Sequence, residues 1–174
     1  MATTNNIRQY SVSNNLITLL GVDLWPDLRT ARWGPACGAT SYNLVVAGGL
    51  SEWDDVLRSV EVYNIKQRSI RKGGSLREAR AYFRIIPVGS KYPRLLAVGG
   101  QSADSSLATS EWWEEEEDSW QAGPSLSTGR SNFGLLMAPP QLACPETEPI
   151  NYSCPADADT EEMCTFSNLE GIMF

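Results

Sequence analysis

The run Leu44-Val45-Val46-Ala47-Gly48-Gly49 returns as Leu95-Leu96-Ala97-Val98-Gly99-Gly100, a step of 51 residues. Each copy is a short apolar segment of strand type that ends on a glycine pair. A period near 50 residues made of short strands and turns argues against a helical solenoid and for a stack of small β-units. Further anchors keep the same register. Ser59-Val60-Glu61-Val62-Tyr63 is followed by Thr109-Ser110-Glu111-Trp112-Trp113, and Ile70 by Trp120, each 50 residues on. A Leu-x-x-x-Arg element occurs as Leu28/Arg32, Leu76/Arg80 and Leu126/Arg130, with steps of 48 and 50 residues.

The unit period is that of a β-propeller blade. The order of anchors (apolar strand, Gly-Gly, variable loop, Ser-x-Glu-x-Tyr, spaced Trp, then Leu-x-x-x-Arg) resembles the kelch-repeat family over residues 7–138. The pattern departs from the family at Trp113, which replaces a tyrosine, and at Ile70, which replaces a tryptophan. The resemblance implies an all-β fold, a partial kelch-type β-propeller of four-stranded antiparallel blades with a disordered acidic C-terminal tail. Residues 1–30 read as the outer strands of an incomplete blade plus a connector, 31–78 and 79–128 as two blades, 129–138 as the inner strand of another, and 139–174 as the tail.

Each repeated residue type has a physical role to fill. Gly48, Gly49, Gly99 and Gly100 let the chain leave a strand in conformations that side chains disfavour. Tyr63, Trp113 and Trp120 supply bulk between adjacent sheets. Arg32, Arg80 and Arg130 are expected to pair with Glu61 and Glu111, or with backbone, between blades, because a partly buried charge needs a partner. Strands are expected near 8–12, 16–20, 36–41, 44–48, 58–63, 67–71, 83–88, 94–98, 109–114 and 118–122, with an innermost strand over 131–137. Cys37, in one of these strands, reads as a buried free thiol.

Propellers use four to eight blades, because the ring must close. Two complete units with partial flanks read as a piece of a longer chain, a short form, a self-association that completes a propeller, or a ring completed by another chain. The first of these is the favoured reading, and self-association is kept as an alternative because open blade edges invite pairing.

Composition narrows the chemistry. The chain has no histidine, which removes histidine-dependent nucleophile systems, histidine general bases and histidine metal sites. No catalytic residue, metal ligand or cofactor-binding residue is assigned, and no cofactor is expected. Residues 1–138 hold fourteen basic and fourteen acidic side chains, whereas 139–174 hold seven acids and no base. Neither part has the basic footprint of a nucleic-acid binder. No run approaches the 18 apolar residues of a membrane span, and no signal peptide is visible, which leaves cytoplasmic and secreted locations open.

The tail is rich in Pro, Asp, Glu, Ser and Thr and reads as disordered. Cys144, Cys154 and Cys164 lie ten residues apart, unlike a zinc site. Asn151-Tyr152-Ser153 is a glycosylation sequon, and Met163, Phe166, Leu169 and Ile172 or Met173 could line one face of a short helix.

The expected function is a non-catalytic protein-interaction module that presents blade loops to a protein partner. Trp53, Asp54 and Asp55 in one long loop, Asp104 in the equivalent loop, and the acidic run Glu114, Glu115, Glu116, Glu117 and Asp118 are the candidate contacts. The plainer reading of Trp53 is a loop aromatic packed on its own blade, and that of the acidic run is a solvated turn. The rivals are a sugar-processing or oxidase-like kelch enzyme, disfavoured by the missing histidine, and a non-functional fragment.

Overall fold

The computed structural model describes residues 9–13, 16–21, 26–89 and 94–136. The expectations for the tail fall outside them. The described residues contain strands and no helix. A two-stranded hairpin, β1 (Gln9–Ser13) and β2 (Leu16–Gly21), comes first. Two four-stranded antiparallel sheets follow. The first holds β3 (Ala36–Ala39), β4 (Asn43–Ala47), β5 (Val60–Asn64) and β6 (Ser69–Lys72). The second holds β7 (Arg84–Val88), β8 (Arg94–Val98), β9 (Ser110–Glu114) and β10 (Ser119–Ala122). In each sheet every strand pairs with its sequence neighbour. The ten strands expected up to residue 122 are present within about two residues of their predicted bounds, as short apolar runs punctuated by glycine and polar turns dictate, whereas the innermost strand expected over 131–137 is not formed by the described residues 131–136.

Alternation along the strands gives each sheet two apolar faces. On the first sheet Val45, Ala47, Val60 and Val62 point one way and Val46 and Tyr63 the other. On the second, Leu95, Ala97, Trp113 and Trp120 oppose Leu96 and Val98. The main core lies where the first set of one sheet meets the first set of the other, joined by Phe83, Ile85 and the linker residue Leu76. Trp113 and Trp120 are cross-strand partners there, buried to 1% and 3% exposure. Their equivalents Tyr63 and Ile70 are likewise partners, on the first sheet's far face. Burying one such aromatic contributes roughly 1.5–3 kcal/mol.

The period of the sequence is also a period of hydrogen bonds. Gly48 N donates to Ser59 O and Gly99 N to Thr109 O; Gly49 N donates to Arg80 O and Gly100 N to Arg130 O. Gly73 N donates to Val60 O and Gly123 N to Ser110 O. The backbone just after each repeated arginine is left-handed at Gly34, Tyr82 and Asn132, with φ of 62°, 54° and 55°.

Cys37 corrects an expectation. Its thiol is exposed, because Ala36 and Gly38 take the inward phase of β3 and leave Cys37 on the opposite side.

The turn 65–68 ends on Arg68, at φ 52°, with an exposed side chain. The left-handed conformation costs a side-chain-bearing residue about 1–2 kcal/mol, against about 0.5–1 kcal/mol of extra unfolded-state entropy for glycine. Arg68→Gly is therefore expected to stabilise the protein by about 0.5–1 kcal/mol in chemical denaturation. The equivalent Asp118, at φ 49°, offers no such gain, because its carboxylate pairs with Arg71 and accepts from Trp113 Nε1.

Candidate functional site

The repeated charges set the frame for the loops. The Arg32 guanidinium donates through Nη1 to Gly48 O at 2.8 Å and Ser59 O at 3.0 Å, and through Nη2 to Glu61 Oε1 at 2.9 Å. Glu61 also accepts from the backbone of Arg29 at 2.7 Å and Thr30 at 3.1 Å. The second sheet repeats this set. Arg80 donates to Gly99 O at 2.7 Å, Thr109 O at 3.0 Å and Glu111 Oε1 at 2.7 Å, while Glu111 accepts from Arg77 N and Glu78 N. Arginine and glutamate do pair, but within one unit and not across two. Each clamp ties the incoming connector to the third strand of the sheet it leads into. The reason is positional: the arginine precedes the first strand of its own sheet and reaches the Gly-Gly carbonyl and the glutamate inside that sheet. Arg130 repeats the backbone register, donating from N to Leu107 O, and its side chain is exposed.

Glu61 also acts on Tyr63. Burial, then the charges of Glu61 and Asp27, push the Tyr63 phenol up to about 12. A raised folded-state value means that the neutral phenol contributes stability in full below the unfolded value near pH 10, and that this is lost as pH climbs through the folded value. Tyr63→Phe is expected to lose less unfolding free energy than the parent between about pH 10 and about pH 12, read from urea midpoints across that window.

The candidate contact residues divide between two ends of the stack. In an up-and-down sheet the β3–β4, β5–β6 and β9–β10 turns share one end, and the β4–β5 and β8–β9 loops and sheet-to-sheet links share the other. The acidic run occupies the first end and is largely engaged there. Glu114 pairs with Arg94, which stacks over Trp112 at 4.7 Å. Glu115 reaches the first sheet, accepting from Thr40 Oγ1 at 3.2 Å and from Asn43 Nδ2. Asp118 pairs with Arg71 of the first sheet. Glu116 and Glu117 remain exposed, Glu117 accepting from Ser119 Oγ at 3.4 Å. Two of the five acids, Glu115 and Asp118, therefore fasten sheet to sheet, a role that the reading as a solvated turn did not anticipate, while Glu116 and Glu117 keep to that reading.

Trp53, Asp54, Asp55 and Asp104 lie at the other end. Both long loops are shaped by a serine hydroxyl directly after the short bridge that follows the glycine pair. Ser51 Oγ accepts from Trp53 N at 3.1 Å and Asp55 N at 3.2 Å; Ser102 Oγ accepts from Asp104 N at 3.3 Å and Ser105 N at 3.2 Å. Backbone pairs Trp33–Leu50, Leu50–Val56, Ala81–Gln101 and Gln101–Ser106 anchor the loops to the connectors. Asp54 sits at φ 63°, a left-handed conformation that aspartate tolerates better than most residues. Trp53 is 78% exposed, so it is not packed on its own sheet.

Between the two loops lies a cleft of about 490 Å³, lined by Trp33, Leu50, Asp54, Asp55, Val56, Ala81, Tyr82, Gln101, Ser102 and Ala103. Trp33 and Tyr82 meet edge to face, centroids 5.4 Å apart at 79°. Burial and then the Asp54 charge hold the Tyr82 phenol above its ordinary value, so it stays a neutral hydroxyl at pH 7. The cleft can thus offer aromatic walls, a phenol, an amide and carboxylates. Among the described residues no group of three or more His, Cys, Asp or Glu could hold a metal ion. Trp33, Tyr82 and Gln101 were missed as site residues by the sequence reading. The usable signal was their register, since Trp33 and Ala81 each follow a repeated arginine directly.

Compared with models of known protein families and with curated proteins, the chain matches none. Its class rests on its own architecture: a β-rich domain with two four-stranded antiparallel sheets stacked through one core.

Proposed function

We propose that the chain is a kelch-type β-propeller segment, non-catalytic, that binds a protein partner through the loop end of its two adjacent blades. One observation carries the reading. A loop pinned by Ser51 holds Trp53 almost wholly in solvent at the edge of a cleft that Asp54 and Asp55 help to line. A large aromatic held out by a shaped loop keeps its apolar surface open to a partner, and tryptophan is among the residues most enriched where interfaces concentrate their energy. The repeated register supports the propeller part of the proposal, because each unit presents the same loop at the same end.

The test is affinity capture with the full chain, quantified against Trp53→Ala and against Glu116→Lys/Glu117→Lys at the opposite end. Trp53→Ala is expected to weaken the captured partner at least tenfold, a hot-spot loss of about 1.4 kcal/mol or more, and the lysine pair to leave it unchanged. The reverse pattern, or no partner that depends on Trp53, would refute it.

A further inference from the structure

Resting on that reading, we propose that the inter-sheet cleft receives a cationic side chain, arginine or lysine, from the bound protein. Every charged residue lining the cleft is acidic: Asp54 and Asp55, with no lysine or arginine among the ten lining residues. Among the described residues neither carboxylate has an ion-pair partner, whereas Glu61, Glu78, Glu111, Glu114 and Asp118 all do. Asp54 and Asp55 are both exposed, and both line the cavity. Asp104 adds a further negative charge one residue beyond Ala103 in the second loop. The walls suit the same ligand. Trp33 and Tyr82 offer aromatic surface, and a cation is attracted to the face of such rings, tryptophan most strongly. The Gln101 side-chain carbonyl can accept from a remaining N–H group of a guanidinium. A neutral sugar would use the aromatic walls equally well but would leave both carboxylates without a counter-charge, and an anion would be repelled.

The experiment uses the full chain, isotopically labelled, titrated with N-acetyl-arginine amide, N-acetyl-lysine amide and the neutral isostere N-acetyl-citrulline amide. One captured side chain should bind in the millimolar range, so titration runs to about 50 mM. The expected result is saturable shifts at the Trp33 indole and at the amides of Ala81, Gln101 and Ser102 with the two cationic probes. Those shifts should weaken as salt rises and be absent with citrulline. Asp54→Asn/Asp55→Asn should abolish them while the rest of the spectrum and the urea midpoint are retained, since asparagine also accepts the left-handed conformation at position 54. Equal shifts from citrulline, no saturable shift from either cation, or shifts that survive the double asparagine variant would overturn the proposal. If a Trp53-dependent partner is captured but no cation binds, the cleft chemistry is wrong and the interaction module stands. If cations bind but capture ignores Trp53, the cleft chemistry stands and the loop-end module fails.

Discussion

Arg80→Met is expected to remove about 3–5 kcal/mol of stability, the range for taking one partner from a buried ion pair. The guanidinium is fully buried and bonds two carbonyls and a carboxylate. Methionine fills much of the volume and replaces none of these bonds. Glu111 keeps the donors Arg77 N and Glu78 N, but its charge loses its counter-ion in a site with 2% exposure. Gly99 O also loses its guanidinium donor. Glu111→Gln alone should cost less, because an amide still accepts from the two backbone groups. The double variant should cost less than the two singles summed, since neutralising Glu111 removes the unpaired buried charge. Urea denaturation of the four proteins gives the cycle. Arg130→Met is the control: the same register with an exposed side chain, expected within about 0.5 kcal/mol of the parent. A loss below about 1 kcal/mol for Arg80→Met would show that the clamp does not hold the sheet.

Gly48→Ala is expected to cost about 2–5 kcal/mol for two additive reasons. The position is left-handed at φ 60°, which penalises an alanine by about 1–2 kcal/mol. The new Cβ would also lie 2.2 Å from Arg80 O and 2.8 Å from the Phe83 ring. Relieving that overlap costs about 1–3 kcal/mol, because the obstacle is backbone and cannot swing aside. Arg80 O is the acceptor of Gly49 N, so the displaced atom is the one that joins the first sheet to the connector of the second. Gly99→Ala, at φ 61° but with its Cβ 2.7 Å from Arg130 O, shares the conformational penalty and has less overlap. It should be the milder of the two in the same denaturation series. If both lost the same amount, backbone conformation alone would account for the effect.

Much of the fold was legible in the chain because its signals are local. Val60-Glu61-Val62-Tyr63 alternates with the strand period, so its two faces follow from the backbone pleat. The pairing of arginine with glutamate was legible from chemistry, because two opposite charges recurring in one register beside apolar strands need each other. Its placement inside one unit was not. Sequence order does not say whether a side chain ahead of a strand reaches forward or back. Cys37 was misplaced by one pleat phase, since a four-residue strand carrying alanine, cysteine and glycine has no strong apolar side to read.

The sequence by itself determined the β-class, the strand positions, the 50-residue register and the residue types that clamp each unit, because these depend on neighbours a few residues apart or on exact repetition. The tertiary structure decided which carboxylates are used up and which are left open. Glu115 meets Asn43 across 72 residues and Asp118 meets Arg71 across 47, contacts that exist only once two sheets stack at a particular offset. The same stacking brings Trp33 and Leu50 to face Tyr82 and Gln101 and leaves Asp54 and Asp55 beside the gap. No local pattern encodes that choice, because burial and charge pairing between sheets follow from the relative placement of their faces.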